Sequence, residues 1–342
     1  MIFDFTICII TFNRGKRVLS LVNTLLENLE KNWCVLILDN ASTNGVEYYQ
    51  KIHNISKINK QVDYIKHDVN GQFHGNYLSC FKHTKTKHFM ILSDEDFINH
   101  SGVKSVLEDI KLKENLGMCR ASIGTHESLK VDLNSFVFAN SFYKAGEEAM
   151  KGICFSGNYI SGIIYNLDLI KKYDLIPILE KNIEKHAAYP HIYFDLLISA
   201  KCDVMRSSEI VVLEGVPEKT LDERGIEYTT FEHVGMYGFG ARINQFFSLR
   251  DGIFDAVNLL KKENSTDEFI IFLGIYLLLV QKYFYLIADC NMHSYKKNFL
   301  EESLLKESFY YITTSAVFAY PQIEPFKETV LSALTDIYQS HK

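Results

Sequence analysis

Three consecutive acids, Asp94, Glu95 and Asp96, end an apolar stretch that begins at Phe89. Neighbouring carboxylates repel one another, and they are costly at the end of a buried strand unless a cation or a network of hydrogen-bond donors meets them. The commonest such cation is a divalent metal that holds phosphate oxygens. An acidic turn exposed to water is the alternative, since such turns are common. The position of the triplet in the fold must decide between the two.

The segments before and after the triplet alternate between strand-like and helix-like patterns. The strand-like runs cover residues 3–10, 34–38, 62–66 and 89–92, and the helix-like segments cover 16–29, 44–58, 75–83 and 102–113. Apolar residues recur at helical spacing in the first of these helices. The alternating order predicts an α/β fold with a doubly wound, mostly parallel sheet of the Rossmann-like type.

Polar residues follow all four predicted strands. The strand ends read Thr11-Phe12-Asn13-Arg14, Asp39-Asn40-Ala41-Ser42-Thr43, Asp68-Val69-Asn70-Gly71 and Ser93-Asp94-Glu95-Asp96. Ligands of doubly wound sheets bind at the carboxyl ends of the strands, so these residues are expected to lie together. Four polar strand ends in one sheet predict a polar ligand site rather than four solvated loops.

Several other classes of protein are excluded. No dinucleotide-binding glycine motif, P-loop or zinc-type spacing occurs in the sequence. The net charge of −6 provides no general attraction to nucleic acid, which is therefore not an expected partner. The seven scattered cysteines favour a reducing compartment. With a strand-like start and no signal peptide, these features predict a cytoplasmic protein.

The longest apolar run tests for a membrane span. Phe269–Val280 is interrupted by Gln281 and Lys282, and spanning requires about 20 apolar residues. No transmembrane segment is therefore predicted, while peripheral contact with the inner face of a membrane stays open. From about residue 231 the pattern is wholly helical, and its apolar helices lead us to predict a homo-oligomer.

Taken in order, the motifs T-F-N-R, D-N-A-S-T, N-G before a helix, and S-D-E-D resemble the nucleotide-binding half of inverting family 2 glycosyltransferases, which have the GT-A fold. The segment Ser156-Gly157-Asn158-Tyr159-Ile160-Ser161-Gly162 is similar to the acceptor-side strand of that family. The resemblance covers about residues 1–215. It implies a GT-A domain over 1–230, with the nucleotide-binding half at 1–100 and the acceptor-side half at 101–230, followed by a helical region over 231–342.

The resemblance also implies a binding site for a nucleotide-sugar donor. That site would comprise Thr11, Asn13, Arg14, Asp39, Asn70, Asp94 and Gly162. The carboxylate of Asp39 would accept an N–H of the base, usually uracil. Its alternative role is an N-cap of the following helix. Thr11, Asn13 and Arg14 would line the base and ribose, although Arg14 is equally typical of a surface cation.

The acidic triplet is similar to the DxD motif of that family. Asp96 would bind Mn²⁺ or Mg²⁺, which suit carboxylate and phosphate oxygens and stabilise a departing diphosphate. Asp94 would contact the ribose or the ligands around the metal, and Glu95 is expected to point away. His233 would supply a further metal ligand, as a C-terminal histidine does in many GT-A enzymes. A core or surface histidine is the alternative.

Transfer to a hydroxyl also needs a general base. The family places an acidic residue, often a Glu-Asp pair, at the start of a helix after the acceptor strand. This sequence has no such pair there, and reads Tyr189-Pro190-His191-Ile192-Tyr193-Phe194-Asp195 instead. We predict Asp195 as the base and His191 as the second candidate. An ion pair with a cation is the alternative role for Asp195, and a cap or a substrate contact is the alternative for His191.

These implications predict a metal-dependent, inverting glycosyltransferase that moves a sugar from a UDP-linked donor to a glycan or lipid-linked glycan in bacterial surface polysaccharide synthesis. Two alternatives stay open. The missing Glu-Asp pair favours a degenerate, non-catalytic module that binds a nucleotide or glycan. A sugar nucleotidyltransferase would need a glycine-rich loop after the first strand, and the loop from Thr11 to Lys16 has one glycine.

Overall fold

The structure is a computed structural model of the chain. It describes residues 3–125, 137–153, 155, 157, 159–215, 220–221, 227–228, 239–261, 265–293 and 301–340. The chain divides into two compact units, Met1–Pro217 and Glu218–Lys342. The boundary expected at residue 230 lies outside the described residues and stays a prediction.

The first unit is built from alternating strands and helices. Its strands are β1 Phe5–Thr11, β2 Trp33–Asp39, β3 Val62–Lys66, β4 His88–Ser93, β5 Phe97–Ile98, β6 Leu116–Thr125, β7 Ser141–Tyr143, β8 Ile163–Asn166 and β9 Asp203–Glu214. Its helices are α1 Gly15–Asn28, α2 Val46–Ile58, α3 Gln72–His83, α4 His100–Lys111, α5 Glu147–Ile153, α6 Leu167–Lys172, α7 Leu175–Asn182 and α8 Pro190–Lys201. The predicted α/β order of the first half is confirmed.

The strands form one mixed sheet in the order β3-β2-β1-β4-β8-β6-β9-β5, with β7 paired to β9. Strands β1 to β4 pair in parallel, with β1 between β2 and β4. Strand β8 is antiparallel to both β4 and β6. The parallel half therefore places the carboxyl ends of β2, β1 and β4 side by side.

Strand β1 is buried on both faces, as a central parallel strand must be. Phe5, Ile7 and Ile9 point into a core that also contains apolar side chains of α1, α2 and α4. The opposite face of the sheet carries an aromatic cluster with α3 and α8, in which the rings of Phe81 and Phe194 are 4.8 Å apart. This two-sided burial fixes the strand register, and with it the position of the strand ends.

Helix α8 is buried along nearly its whole length. Its residues from Pro190 to Ala200 are all buried, which is typical of a helix packed on several sides. A proline suits its first turn because the missing N–H would have no partner within the helix. The side chains of His191 and Asp195 on this helix are therefore inside the protein.

The second unit is mainly helical, which confirms the predicted helical C-terminal region. Its helices cover Phe239–Asn258, Ser265–His293, Glu301–Thr313 and Lys327–Ser340, with 3₁₀ turns at Ala316–Ala319 and Pro321–Phe326. The first two pack through stacked rings of Phe254 and Phe272, whose centroids are 3.8 Å apart. Within the described part of the chain, no helix has the length and apolarity needed to cross a membrane.

The pH dependence of unfolding should report His88, the partly buried histidine at the start of β4. Burial lowers the pKa of His88 to about 4, with nearby Lys87 acting in the same direction. An unfolded histidine titrates near 6.5. Between these values the unfolded chain binds more protons, so His88 contributes stability that is present above pH 6.5 and lost as the pH falls toward 4.

We expect His88→Gln to remove this dependence. The free energy of unfolding of the wild type relative to the variant should rise by roughly 2 kcal/mol between pH 4 and pH 6.5, and then stay constant. Urea denaturation across this range measures it. A difference that is flat from pH 4 to pH 8 would contradict the assignment.

Candidate functional site

The ends of β1 and β4 meet at an ion-paired cluster. The hydroxyl of Thr11 donates to Asp94 Oδ2 at 2.8 Å. The guanidinium of Arg14 donates through Nη1 to Asp94 Oδ1 at 2.9 Å and to Glu95 Oε2 at 3.0 Å. The structure therefore brings together three residues predicted for the nucleotide site, and Arg14 is bound to the acidic motif rather than extended into solvent.

Glu95 is the member of the motif that differs from expectation. It does not point away, since it shares Arg14 Nη1 with Asp94. Asp94 is 4 % exposed and Glu95 is 22 % exposed. Burial raises the pKa of Asp94, and the positive charge of Arg14 acts in the opposite direction. One guanidinium thus offsets the repulsion between two neighbouring carboxylates. This pairing keeps both carboxylates together at the end of β4.

Asp39 lies at the end of β2 and is fully buried. Its Oδ1 accepts the backbone N–H of Ser42 at 2.9 Å, and its Oδ2 accepts the hydroxyl of Tyr64 at 2.7 Å. The first contact is the turn-type interaction that aspartate makes with its own backbone. Burial, together with Asp39, raises the pKa of Tyr64 far above its usual range, so this tyrosine stays a donor. Base binding by Asp39 stays a prediction.

Asn13 and Asn70 hold loops. The backbone of Asn13 has a φ of 58°, a left-handed conformation that asparagine tolerates. Its Oδ1 accepts the backbone N–H groups of Thr43 and Asn44 at 2.8 and 3.0 Å. Asn70 Oδ1 accepts from the side chain of Asn40 at 2.9 Å. Both asparagines fix the loops that follow the strands. A direct contact with the nucleotide-sugar stays a prediction for each.

Asp96 is bound by three donors from other segments. Its Oδ1 accepts from the hydroxyl of Tyr159 at 2.6 Å and from the N–H of Gly215 at 3.2 Å, and its Oδ2 accepts from the hydroxyl of Ser161 at 2.6 Å. Burial raises the pKa of Asp96 to about 6 against these three hydrogen bonds. Gly162, with a φ of 83°, turns the chain directly after Ser161. Asp96 thus ties the acceptor-side segment to the acidic turn.

The arrangement does not fit a divalent metal as it stands. Asp96, the predicted ligand, is 1 % exposed and has both oxygens engaged by protein donors. Arg14 already holds the position between Asp94 and Glu95 where a cation would lie. Among the residues described, no group of three or more His, Cys, Asp or Glu side chains is placed to hold a metal. His233 lies outside the described residues, and the metal role of both residues stays a prediction.

Gly215 approaches the acidic turn more closely than any other residue type could. Antiparallel pairing of β5 with β9 brings it there, and a Cβ at this position would lie 1.6 Å from the carbonyl oxygen of Glu95. We expect Gly215→Ala to push the segment away from Asp96 and to lower the free energy of unfolding by about 1–3 kcal/mol.

Gly75→Ala is the matched control. A Cβ at Gly75, in α3, meets no atom within 4 Å, and alanine is favoured in a helix by up to about 1 kcal/mol. Urea denaturation of both variants tests the close approach. Equal stability of Gly215→Ala and the wild type would contradict it.

Asp195 forms a buried ion pair. Its Oδ2 accepts from Arg120 Nε at 3.1 Å and also from Arg120 Nη2, while its Oδ1 has no hydrogen-bond partner in the described part of the chain. The two side chains are 3 % and 5 % exposed. Burial raises the pKa of Asp195, and Arg120 opposes this shift. This is the ion-pair alternative for Asp195, and its role as base stays a prediction.

Arg120 connects this ion pair to the acceptor-side segment. Its Nη1 donates to the carbonyl oxygen of Tyr159 at 3.3 Å. His191, one turn before Asp195, is also buried, beside the rings of Tyr77 and Tyr189. The two candidates for the base therefore lie inside the protein on the same helix. Arg120 connects one of them, Asp195, to the segment that carries Tyr159.

Sequence reasoning assigned no site role to Tyr49, Tyr64 and Arg120, and it expected Glu95 to point away from the site. Tyr49, Tyr64 and Arg120 donate to or hold other members, and Glu95 shares Arg14. Tyr49 and Tyr64 lie within a helix and a strand where an aromatic residue is typical of a core. A signal existed for Glu95 alone, because its neighbours were already assigned to the site.

Part of the chain matches a known protein family. Residues 6–157 match the family model of Glycosyl transferase family 2. A comparison with curated protein sequences gives no match.

The fold is similar to that of S. aureus TarS. Superposition on the crystal structure of TarS 1-349 in complex with UDP gives a TM-score of 0.53 and a sequence identity of 12 %. The similarity covers 99 % of this chain and 90 % of that chain. The complex of TarS 1-349 with UDP-GlcNAc gives a TM-score of 0.52 with the same identity and coverage. A longer TarS structure also gives 0.52, and this chain covers 54 % of it.

These comparisons bear on the resemblance drawn from the strand ends. The matched segment, residues 6–157, contains Thr11, Arg14, Asp39 and the acidic motif. The similarity to TarS extends over nearly the whole chain and concerns the fold. The chain therefore has the GT-A fold, and its residues 6–157 carry the sequence pattern of glycosyl transferase family 2.

Proposed function

We propose that this protein transfers a sugar from a UDP-linked donor to a hydroxyl of a glycan or lipid-linked glycan, with inversion at the anomeric carbon. One observation carries the proposal. Thr11 and Arg14 converge on Asp94 at the adjoining ends of β1 and β4, within the segment that matches family 2. The UDP and UDP-GlcNAc named for the TarS complexes support a UDP-linked donor.

Each residue has a role that its chemistry allows. Asp39 would accept the N–H of uracil, sharing its Oδ2 with Tyr64 or displacing that hydroxyl. Asp94 would accept a ribose hydroxyl, and Arg14 would neutralise the diphosphate as it leaves. A base removes the proton of the acceptor hydroxyl, whose oxygen attacks the anomeric carbon. The bond from that carbon to the diphosphate breaks, and UDP leaves with its electron pair.

Dependence on Mn²⁺ or Mg²⁺ stays a prediction, with Asp96 and His233 as the proposed ligands. Metal binding at Asp96 would require it to give up at least one of its three protein donors. A role in bacterial surface polysaccharide synthesis, a cytoplasmic location near the inner face of a membrane, and a homo-oligomeric state are proposals of the same kind. They follow from the resemblance and from the apolar helices of the second unit.

A non-catalytic binding module is the second candidate. It is favoured by the burial of Asp195 and by its ion pair with Arg120, since a base must reach the acceptor hydroxyl. Such a module would bind UDP and leave UDP-sugars intact.

UDP release distinguishes these functions. The protein would be incubated with UDP-glucose, UDP-galactose or UDP-GlcNAc, in Mn²⁺ and in EDTA, with and without glycan acceptors. Release of UDP from at least one donor supports a transferase. UDP binding without release from any donor supports the binding module, and neither binding nor release would contradict both. Undiminished release in EDTA would remove the predicted metal dependence.

A further inference from the structure

We propose that Tyr49 is a positioning residue for the donor site, which holds Arg14 in place against the acidic motif. This inference rests on the proposed function, because the ligand it serves is the nucleoside diphosphate. Tyr49 lies on α2 and is 3 % exposed. Its hydroxyl contacts Arg14 and Thr11 at the end of β1. Tyr49 would therefore act on the bound nucleotide through these two residues.

Four hydrogen bonds close a ring through Tyr49. The backbone N–H of Arg14 donates to the Tyr49 hydroxyl at 3.0 Å, and this hydroxyl lies 2.9 Å from Thr11 Oγ1. Thr11 donates to Asp94 Oδ2 at 2.8 Å, and Arg14 Nη1 donates to Asp94 Oδ1 at 2.9 Å. The backbone and the side chain of Arg14 are thus both fixed by one closed path of bonds.

The donors in this ring follow from elementary chemistry. An ion-paired carboxylate only accepts, so the single proton of Thr11 goes to Asp94. The hydroxyl of Thr11 must therefore accept from Tyr49, which in turn accepts from the N–H of Arg14. Every bond points the same way around the path from Arg14 to Asp94. Phenylalanine at position 49 would leave the N–H of Arg14 without this acceptor and Thr11 without its donor.

Ser42 joins the end of β2 to the same region. Its Oγ accepts the N–H of Asn13, the residue before Arg14, at 2.8 Å. The Tyr49 hydroxyl therefore links α2 directly to the end of β1 and, through Thr11, to the end of β4. Ser42 links the end of β2 to the end of β1.

A double-mutant cycle read by UDP binding tests the proposal, because a contact that acts through Arg14 loses its effect when Arg14 is absent. Calorimetric titration with UDP would compare the wild type, Tyr49→Phe, Arg14→Gln and the double variant. We expect Tyr49→Phe to weaken UDP binding about tenfold in the wild type and less than twofold in the Arg14→Gln background. Tyr48→Phe, a hydroxyl deletion at the next residue of α2, should stay within twofold of the wild type.

A second pair of variants interrupts the ring one bond further on. Thr11→Val removes the link to Asp94, and Thr6→Val is its control, since Thr6 forms a buried hydroxyl pair with Thr86 at the other end of β1. Thr11→Val should weaken UDP binding severalfold and Thr6→Val should not. Equal effects of Tyr49→Phe in both Arg14 backgrounds, or no effect of Tyr49→Phe and Thr11→Val, would overturn the proposal while wild-type UDP binding is retained. Failure of the wild type to bind UDP would overturn the proposed function itself.

Discussion

Replacing Asp195 with alanine is expected to lower the free energy of unfolding by about 3–5 kcal/mol. The change leaves the guanidinium of Arg120 buried without its carboxylate, in a place where both side chains are at most 5 % exposed. Removing one partner of a buried pair exposes the full cost of desolvating the other. Urea denaturation, with activity measured per folded molecule, separates this structural effect from a loss of catalysis.

Two further variants sharpen the test. Arg120→Met with Asp195→Leu removes both charges, and should recover most of the lost stability because no unpaired charge remains. Glu180→Gln breaks the exposed pair with Lys82 and should cost at most about 1 kcal/mol. If Asp195→Asn unfolded like the wild type while transfer fell a thousandfold, Asp195 would be the base and the structural account of this pair would be wrong.

Replacing Asp94 with alanine is expected to reduce kcat/KM for the donor by about 30- to 150-fold. The carboxylate accepts charge-assisted hydrogen bonds from Thr11 and Arg14 and would accept one from the ribose. Such a bond contributes about 2–3 kcal/mol, which corresponds to this range. Without Asp94, the guanidinium of Arg14 would keep one of its two carboxylate contacts, that with Glu95, and would therefore be held less firmly in its orientation.

Asp109→Ala provides the matched control for Asp94→Ala, because Asp109 is an exposed residue of α4. Its kcat/KM should equal that of the wild type. UDP release at several donor concentrations gives kcat and KM for each variant. Wild-type kinetics in Asp94→Ala would exclude the acidic motif from donor binding.

The parallel half of the fold could be predicted because its signals are local. Periodicity placed the first helix at 16–29 and the fourth strand at 89–92, where the structure has Gly15–Asn28 and His88–Ser93. The antiparallel insertion of β8 between β4 and β6 could not be predicted in this way. Its neighbours come from distant parts of the chain, and hydrophobic periodicity carries no information on which strands pair.

The same distinction between local and long-range signals applies to the residues of the site. Thr11 and Asp39 end two strands, and Asp94 follows a third, and these strands pair side by side. The rule for strand ends was therefore sufficient to bring the three residues together. Arg120 and Asp195 are 75 residues apart in sequence, and nothing in either segment indicates their contact. Tyr49 reads as one buried aromatic residue of an amphipathic helix, and its hydroxyl becomes significant once the strand ends are in place.

A crystal structure with bound UDP tests the central claim most directly. We expect uracil against Asp39, the ribose at Asp94 and the diphosphate beside Arg14, at the adjoining ends of β1, β2 and β4. The opposite end of the sheet has a groove lined by Trp33, Lys87 and Lys104. UDP bound in that groove, or anywhere away from Asp94 and Arg14, would contradict the account.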